Sequence, residues 1–490
     1  MARVAVIGAG MGGLAVSARL SAQGHDVTVY EQADGPGGKN SGYARDGFRF
    51  DLGPSTLTLP AVYRDLFLKT GRSLEDSLDL QEVDPAYGYH FADGSAVTVP
   101  GAGVGACANA LQDGLGGDAG HEWRTLLRRA GDIWGLTRSN VLGRPLDGYR
   151  DLLSLARSGR NLRTVAPWRT MRQLGDATLR DPRARMILDR YATYTGSDPR
   201  RSPAALVTIP FVEQTFGIWH VGGGLHTLAL ALHRRCLDLG VTFEFRTRVE
   251  AITTDPNGVT GVQVHGQRQP GDLVVTDADA RTVYGDLLQD PRADGPRRRM
   301  SKMQPSFSGF VLLLAVEGRT PGIRHHNVWF PANYDAEFDQ LFSKRPRPVA
   351  DPAVYACVPD DPAMRPDASE AWFILVNAPA QQPPVMDWSE SAEDYADHVL
   401  AVLAARGVEL RDRIRFREIR TPLDLQRDTA SPGGSIYGMS SNGRLSTVLR
   451  PSNRSPVPGL FLVGGSAHPG GGLPLVGMGA EIVADQIGRA

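Results

Sequence analysis

Three glycines near the start of the chain have the spacing of a phosphate-binding turn. Gly8, Gly10 and Gly13 form a G-x-G-x-x-G pattern. The β-branched run Val4 to Ile7 precedes the pattern, and apolar residues at helical intervals follow it from Leu14 to Gln23. Such a turn lets a diphosphate approach the backbone, and the unpaired N–H groups at the start of the helix attract it. The residues therefore predict a dinucleotide site.

A carboxylate follows the next predicted strand. Val27 to Tyr30 reads as a strand and ends at Glu31, where an acid can accept hydrogen bonds from the hydroxyls of an adenosine ribose. Strand, glycine turn, helix, second strand and acid occur in the order of a βαβ nucleotide-binding unit. We therefore expect an α/β fold with a Rossmann-type sheet at this end of the chain.

A second glycine-rich loop favours a flavin nucleotide over a nicotinamide one. Gly37 and Gly38 precede Lys39, and backbone amides beside one cation suit a diphosphate or the edge of a flavin. Nicotinamide-dependent dehydrogenases do not need this second loop. Residues 46–56, DGFRFDLGPST, come next. Together the two loops indicate a flavoprotein of the kind that has two dinucleotide-type domains.

These loops resemble those of the glutathione-reductase-like flavoproteins in the amine-oxidase and carotenoid-desaturase group. Residues 188–204, LDRYATYTGSDPRRSPA, resemble the turn that precedes the return to the flavin domain in carotenoid desaturases. The most specific match is residues 458–481, PGLFLVGGSAHPGGGLPLVGMGAE, which resemble the C-terminal signature of the bacterial enzymes. This signature is more similar to late-acting members, such as acyclic 3,4-desaturases and carotenoid oxidases, than to enzymes that start on phytoene.

The sequence departs from this family at two positions. The family usually has arginine where Lys39 stands, which weakens the expectation of a bidentate contact there. It usually has asparagine where Asp277 stands, and we expect Asp277 to cap the next helix rather than to touch a ligand.

The resemblance implies an FAD-dependent enzyme that introduces C=C bonds into an acyclic carotenoid by hydride transfer to the flavin, with oxygen or a quinone as the electron acceptor. It implies a glutathione-reductase-like, two-dinucleotide-type FAD-binding domain built from residues 1–88, 217–288 and 456–490. A helical, membrane-facing segment (89–216) and an α+β substrate domain (289–455) complete the predicted layout. The residues implied to bind FAD are Gly8, Ala9, Gly10, Gly12, Gly13, Glu31, Gln32, Gly37, Gly38, Lys39, Gly53, Pro54, Ser55, Val249, Gly464, Gly465, His468, Gly472, Leu473, Pro474 and Val476.

No residue is marked by its spacing as the catalytic base, so the catalytic residue is unknown. His220 and His468 lie beside glycine loops, but a lone histidine is more often a hydrogen-bonded structural group. The sequence contains no nucleophile elbow, no H-E-x-x-H motif and no spaced cluster of metal ligands. We therefore expect neither a hydrolase nor a metal site.

Composition narrows the partners and the compartment. The formal net charge is −1, so nucleic acid is not an expected partner. Cys107, Cys236 and Cys357 have no C-x-x-C spacing, which fits a reducing compartment and predicts a cytoplasmic protein. The longest apolar runs, Phe310 to Val316 and Val399 to Ala405, are too short to cross a bilayer.

A basic segment is the candidate membrane contact. Residues 124–172 hold eleven arginines and three aspartates, together with Trp134, Trp168 and leucines that include Leu152, Leu153 and Leu155. This is the composition of a helix at a lipid interface, and we expect peripheral association with the inner face of the cell membrane. An ordinary helical lid with a solvated arginine face has the same composition, so both interpretations stay open.

The remaining patterns give coarser expectations. A helix is predicted from Leu225 to Leu239, and a second from Ser391 to Arg406 with Ser391 and Asp394 as its cap. Strands are predicted at Val241–Arg246, Arg248–Thr253, Val259–Val264, Asp272–Thr276, Phe307–Val316, Asn327–Phe330, Val354–Val358, Trp372–Asn377 and Leu460–Val463. The strands between residues 300 and 455 suit either a packed core or a sheet floor beneath an oily substrate.

Two other functions use the same scaffold. An amine or protoporphyrinogen oxidase would share the flavin loops, but a polar amine needs an aromatic cage and no membrane face. A non-catalytic carrier of isoprenoids would share the architecture, and the intact glycine loops argue against it. Oxidation of amines would favour the first, and a colourless purified protein would favour the second.

Overall fold

The computed structural model describes residues 1–146, 158–381, 384–443, 446 and 450–490. A five-stranded parallel sheet forms the centre of its nucleotide-binding part. From edge to edge the strands are Leu460–Leu462, Leu273–Thr276, Arg3–Ile7, Asp26–Tyr30 and Thr242–Glu244. Residues 4–7 of the central strand are all buried, as expected of a parallel strand that is covered on both faces.

Different elements cover the two faces of this sheet. Val4 and Val6 point to one face, which is packed by the helices Met11–Ala22, His226–Asp238 and Leu473–Ile487. Ala5 and Ile7 point to the other face because side chains alternate along a strand. That face packs against a three-stranded antiparallel sheet, formed by Val249–Asp255, Gly258–Val264 and Gln267–Pro270.

A mixed seven-stranded sheet lies in the second part of the molecule. Its strands, in spatial order, are Ile414–Arg420, Ser308–Glu317, Ser369–Ala378, Val354–Cys357, His326–Trp329, Tyr87–His90 and Ala96–Val99. The helix Trp388–Ala405 packs on one face, and the other face is directed toward a cavity. The predicted domain division at residue 88 falls inside one strand of this sheet, because Tyr87–His90 pairs in parallel with His326–Trp329.

The helical segment between these sheets is built from Val104–Leu115, Ala119–Thr137, Gly159–Val165, Met171–Asp176, Pro182–Arg190 and Thr208–Phe216. Part of the predicted basic segment, residues 147–157 with Leu152, Leu153 and Leu155, lies outside the described residues. Among the described residues, we find no helix with the length and apolarity that crossing a bilayer requires.

Shorter elements complete the described chain. The remaining α-helices of the described residues are Ala61–Lys69, Ala280–Thr282, Asp294–Lys302, Asp335–Phe342 and Pro422–Thr429. Short 3₁₀ and π segments lie between the larger elements. The remaining strand pairs are Gly42–Arg45 with Phe48–Asp51, and Leu80–Glu82 with Trp219–Val221.

Several predicted element ends are wrong by two or three residues, such as the start of the strand predicted over Trp372–Asn377, which runs from Ser369 to Ala378. Two others have a clear local cause. The helix expected to start at Ser391 begins at Trp388, and Asp387 caps it by accepting hydrogen bonds from the backbone N and Oγ of Ser389 at 2.9 and 2.5 Å. The strand expected to reach Arg246 ends at Glu244, and Arg246 adopts a φ of 55°, which extended backbone does not allow.

Candidate FAD site

One cavity of about 860 Å³ joins the two sheets and the helical segment. The predicted FAD-binding residues line this cavity with three exceptions, which are Ala9, Gly13 and Gly464. Residues that are up to 468 positions apart in sequence, from Gly8 to Val476, thus line one cavity, as the dinucleotide prediction requires. Their contacts with FAD remain a prediction.

The two glycine loops touch each other at one end of the cavity. Gly37 donates its N–H to the carbonyl of Ala9 at 2.8 Å, and Gly10 and Gly37 form a parallel β-bridge. Gly8 has a φ of 97°, a conformation that favours glycine over any other residue. The first loop is followed directly by the helix Met11–Ala22. The second loop packs beside the first loop through the contacts of Gly37.

The carboxylate of Asp277 lies against this first loop. Its Oδ2 accepts a hydrogen bond from the backbone N of Gly13 at 3.0 Å. A Cβ on Gly10 would lie 2.3 Å from Oδ2, and a Cβ on Gly12 would lie 2.6 Å from Oδ1. Burial raises the pKa of Asp277 to about 7, and the nearby Glu31 contributes in the same direction. The carboxyl group thus occupies part of the space that these glycines leave open.

The predicted capping role of Asp277 is therefore wrong. Asp279 caps the turn Ala280–Thr282 instead, by accepting a hydrogen bond from the backbone N of Arg281 at 2.9 Å. Asp277 instead follows the strand Leu273–Thr276 and donates its backbone N–H to the carbonyl of Ile7 at the end of the neighbouring strand, at 2.8 Å.

Glu31 accepts hydrogen bonds from both sides of the predicted nucleotide pocket. Its Oε2 accepts from the N–H of Ala9 at 2.7 Å, and its Oε1 accepts from the N–H of Ala33 at 2.8 Å. Each carboxylate oxygen can accept a second hydrogen bond, so the group retains acceptor capacity for ribose hydroxyls. Glu31 also lines the cavity, as that role requires.

Lys39 connects its loop to the distant segment that contains Ser435 and Ile436 by hydrogen bonds. Its Nζ donates to the carbonyls of Ser435 and Ile436 at 3.0 and 2.7 Å, which leaves one of its three N–H groups. Burial lowers the pKa of this ammonium group. Gly53 packs on the same loop so tightly that a Cβ there would lie 1.7 Å from the carbonyl oxygen of Lys39.

The C-terminal signature closes the cavity. The helix Leu473–Ile487 starts after Gly472, and Tyr63 donates its hydroxyl to the carbonyl of Leu473 at 2.8 Å. His468 Nε2 lies 3.0 Å from the carbonyl oxygens of both Val141 and Arg144. His468 thereby connects the C-terminal signature to the helical segment.

The histidines have the hydrogen-bonded settings that the sequence predicts. His220 Nε2 lies 2.9 Å from Asp361 Oδ2. The fold also gathers His325, His326 and Cys357, whose ligand atoms lie within 4.8 Å of one another. No spacing in the sequence predicts this group.

Sequence reasoning missed a group of polar side chains on the wall of the cavity. The hydroxyl of Tyr355 is hydrogen-bonded to Ser55 Oγ at 2.6 Å and to His326 Nδ1 at 2.8 Å. Arg190, Tyr194 and Glu213 also line the cavity. The only sequence signal was the resemblance of residues 188–204 to a family segment. That resemblance gave no role to an individual side chain.

These residues fit a flavin dinucleotide. Glycines stand where a Cβ would fill the cradle, an acid with spare acceptor capacity stands at the end of the second strand, and a cation stands on the second loop. When bound, FAD supplies the acceptor for the two electrons of a dehydrogenation. The fold and the site together define an FAD-dependent oxidoreductase.

The chain belongs to the flavin-containing amine oxidoreductases, because its residues 11–487 match the family described as "Flavin containing amine oxidoreductase". It is 34% identical over 504 residues to the zeta-carotene-forming phytoene desaturase of Myxococcus xanthus, covering 99% of this chain and 93% of that protein. It is 32% identical over 498 residues to the 4,4'-diapolycopene oxygenase of a Methylomonas species, covering 99% of this chain and 98% of that one.

The solved structures add the fold alone. Cyclohexylamine oxidase from Brevibacterium oxydans superimposes with a TM-score of 0.63 at 15% identity over 99% of both chains. The resemblance to carotenoid desaturases and the prediction of FAD as cofactor are confirmed by the family and its relatives. The fold prediction is confirmed in its coarser form, an α/β FAD-binding fold of the flavin amine-oxidase type.

Proposed function

We propose that this flavoprotein is a desaturase that introduces C=C bonds into an acyclic carotenoid. The observation that carries the proposal is the continuity of one cavity, from the cofactor loops to a chamber with an apolar floor. Phe307, Val311, Phe373 and Leu375 form that floor on the cavity face of the seven-stranded sheet. Such a floor binds an oily chain, and it excludes water from the carbons that react.

The proposal includes uptake of the carotenoid from a membrane surface at the inner face of the cell membrane. Trp134, Leu162 and Val165 line the cavity from the helical segment. Beside them, Trp168 is 48% exposed and Phe216 is 38% exposed. Exposed aromatic side chains next to arginines suit the headgroup region of an anionic bilayer. A quinone dissolved in that bilayer, or oxygen, would then serve as the electron acceptor.

The enzymatic part is tested with the purified, FAD-loaded protein. Phytoene, neurosporene and a hydroxylated acyclic carotenoid are incubated with it in liposomes, and the absorption spectra are followed. We expect at least one polyene to shift to longer wavelength. Oxidation of amines with every polyene unchanged would support an amine oxidase, and binding of a polyene without conversion would support a carrier.

The membrane part is tested by sedimentation with vesicles that contain anionic lipid. We expect the wild-type protein to sediment at low salt and to be released as salt screens its arginines. Replacing Trp168 by serine should weaken sedimentation. The matched control is Leu237→Ser, which removes a side chain that is 51% exposed on the helix His226–Asp238. Equal sedimentation of both variants and the wild type would contradict docking through the helical segment.

A further inference from the structure

Two strands of the seven-stranded sheet bring an imidazole and a thiol together. His326 and Cys357 are direct partners in the antiparallel pairing of His326–Trp329 with Val354–Cys357. Residues paired in this way direct their side chains to the same face, about 5 Å apart at Cβ. His325 precedes the first strand, and its ring centre lies 4.6 Å from that of His326. One ligand atom from each of the three residues thus lies within 4.8 Å of the other two.

The two imidazoles have nitrogen atoms without a competing contact. His326 is fully buried, its Nδ1 lies 2.8 Å from the hydroxyl of Tyr355, and its Nε2 has no hydrogen-bond partner. The ring nitrogens of His325 form no hydrogen bond to any residue in the described part of the chain. A buried polar atom without a partner is unfavourable, and a metal ion bound there would satisfy it.

Burial decides the protonation of these groups. It lowers the pKa of His325 to about 3 and that of His326 well below its ordinary value, so both imidazoles are neutral and keep a lone pair for a metal. Burial also raises the pKa of the Cys357 thiol. A coordinated cation deprotonates such a thiol, with release of the proton to solvent. The ligand set would then carry one negative charge.

A carboxylate lies behind this group, on the side of His325. Asp361 Oδ2 lies 2.9 Å from His220 Nε2, and the ring centres of His220 and His325 are 5.1 Å apart. Burial opposes the ionisation of Asp361, but hydrogen bonds from His220 and from the N–H of Gly223 outweigh it and lower its pKa. The ionised carboxylate offsets the single positive charge that a divalent cation and one thiolate leave.

Two imidazoles and one thiolate form a donor set that suits Zn²⁺. Bonds of about 2.0 Å to nitrogen and about 2.3 Å to sulfur place tetrahedral ligand atoms about 3.5 Å apart, so the side chains must approach one another by about 1 Å. Three protein ligands leave the fourth position to water. None of the three residues is among the described residues that line the cavity, so an ion here would not touch the substrate.

We propose that His325, His326 and Cys357 bind one Zn²⁺ ion, which holds together the two strands that carry His326 and Cys357. The ion is structural, since it lies outside the cavity. Zinc binding is measured without any substrate, so this inference stands or falls independently of the desaturase function.

The site has an outer contact that leads toward the predicted cofactor. With Nε2 of His326 on the metal, its Nδ1–H donates to the hydroxyl oxygen of Tyr355, and such partners orient the histidine ligands of zinc sites. The same hydroxyl lies 2.6 Å from Ser55 Oγ, in one of the loops predicted to hold FAD. Tyr355 is therefore a positioning residue for the metal site.

Binding is tested on untagged, FAD-loaded protein that is kept reduced. Bound metal is removed by dialysis against a chelator, and Zn²⁺ is then added in competition with a chromophoric chelator. We expect one equivalent of tight binding and a higher midpoint of thermal unfolding with Zn²⁺ than without it. Co²⁺, added as a spectroscopic probe, should give a sulfur-to-cobalt charge-transfer band. The lack of a stoichiometric zinc site, or a cobalt spectrum without the sulfur band, would overturn the proposal.

Variants assign the ligands. Cys357→Ser should remove the cobalt band and weaken Zn²⁺ binding by more than the about 10-fold to 100-fold that an outer-shell change costs. His325→Gln, at a half-buried position, should weaken binding as strongly and serves if Cys357→Ser does not fold. Tyr355→Phe should weaken it about 10-fold. The matched control is Cys236→Ser, because Cys236 is also buried and its Sγ donates to the carbonyl of Leu14 instead.

Two results with these variants would contradict the assignment. Equal zinc affinity in the wild type, Cys357→Ser and His325→Gln would show that these side chains are not ligands. A loss in Cys236→Ser as large as that in Cys357→Ser would show unspecific binding to thiols. Wild-type affinity in Cys236→Ser together with weak binding in the two ligand variants supports the site.

Discussion

The carboxylate of Asp277 accepts a hydrogen bond from the N–H of Gly13, one of the helix-terminal groups that the glycine pattern assigns to a diphosphate. An ionised carboxylate beside a diphosphate would repel it. The repulsion is reduced if Asp277 binds a proton, and burial favours that form because it raises the pKa of the carboxyl group to about 7. Affinity for FAD should therefore depend on pH.

Asp277→Asn tests this relationship, because asparagine has the same shape and its oxygen still accepts from Gly13. The pKa of Asp277 in the folded protein exceeds its unfolded value of 3.8, so the stability of the wild type falls as pH rises from about 4 to about 7 and the full penalty of ionising Asp277 is present above about 7. We expect the variant to be more stable than the wild type at pH 8 by about 2 kcal/mol, and the difference to shrink at pH 6. Urea unfolding of the apoprotein at both pH values measures this.

Binding of FAD provides the second measurement on this variant. The dissociation constant of the wild type, followed by flavin fluorescence, should rise between pH 6 and pH 8.5, while that of Asp277→Asn should change less. A parallel pH dependence in the two proteins would show that Asp277 does not control the affinity.

Gly53→Ala should abolish the tight packing of the second loop. The new Cβ would lie 1.7 Å from the backbone carbonyl oxygen of Lys39, so the backbone must move. We expect a loss of stability of more than about 2 kcal/mol and a purified protein with little bound flavin. The control is Gly35→Ala, since a Cβ at Gly35 meets no atom within 4 Å. Flavin content per protein, read from the absorption spectrum, compares the two.

The elements that sequence predicted well are those whose signals are local. The strand Arg3–Ile7 and the helix after it are specified by residues in contact along the chain, so their order was predictable. The cap at Ser391 was wrong because Asp387 also precedes the helical pattern and Trp388, which is 1% exposed, adds a first turn by packing into the core. That packing depends on the seven-stranded sheet, which no local pattern describes.

The candidate site divides in the same way. Gly10 and Gly37 are recognisable because the backbone of a nucleotide-binding loop requires glycine at fixed positions. Glu31 is recognisable because an acid is expected at the end of the second strand. Arg190 and Glu213 have no such spacing signal, since they line the cavity only because distant segments of the chain meet there. Sequence could predict the cofactor cradle but not the polar wall of the substrate chamber.

Glu31→Gln should weaken FAD binding about 10-fold to 100-fold. A glutamine oxygen can accept from only one side, so the N–H of Ala9 or of Ala33 would face the amide NH₂ group instead of an acceptor. The loss follows from misplacement of the first glycine loop as well as from the weaker acceptor at the ribose. Titration with FAD measures it, and Glu250→Gln, an exposed position that accepts from Gly266, is the matched control.

Lys39 allows the charge of the second loop to be separated from its structural contacts. Its ammonium group is buried, and burial lowers its pKa, so keeping it charged opposes folding even though two carbonyls accept its hydrogen bonds. Lys39→Met keeps most of the side-chain volume and removes both the charge and the donors. We therefore expect the stability of the apoprotein to change by less than about 2 kcal/mol, because the lost hydrogen bonds and the relieved desolvation act in opposite directions.

The affinity for FAD should fall at least about 10-fold, because a diphosphate loses a nearby cation. Lys39→Arg should retain more affinity than Lys39→Met, since it keeps the charge. If both variants bound FAD as tightly as the wild type while their apoproteins lost stability, Lys39 would serve only to join its loop to Ser435 and Ile436.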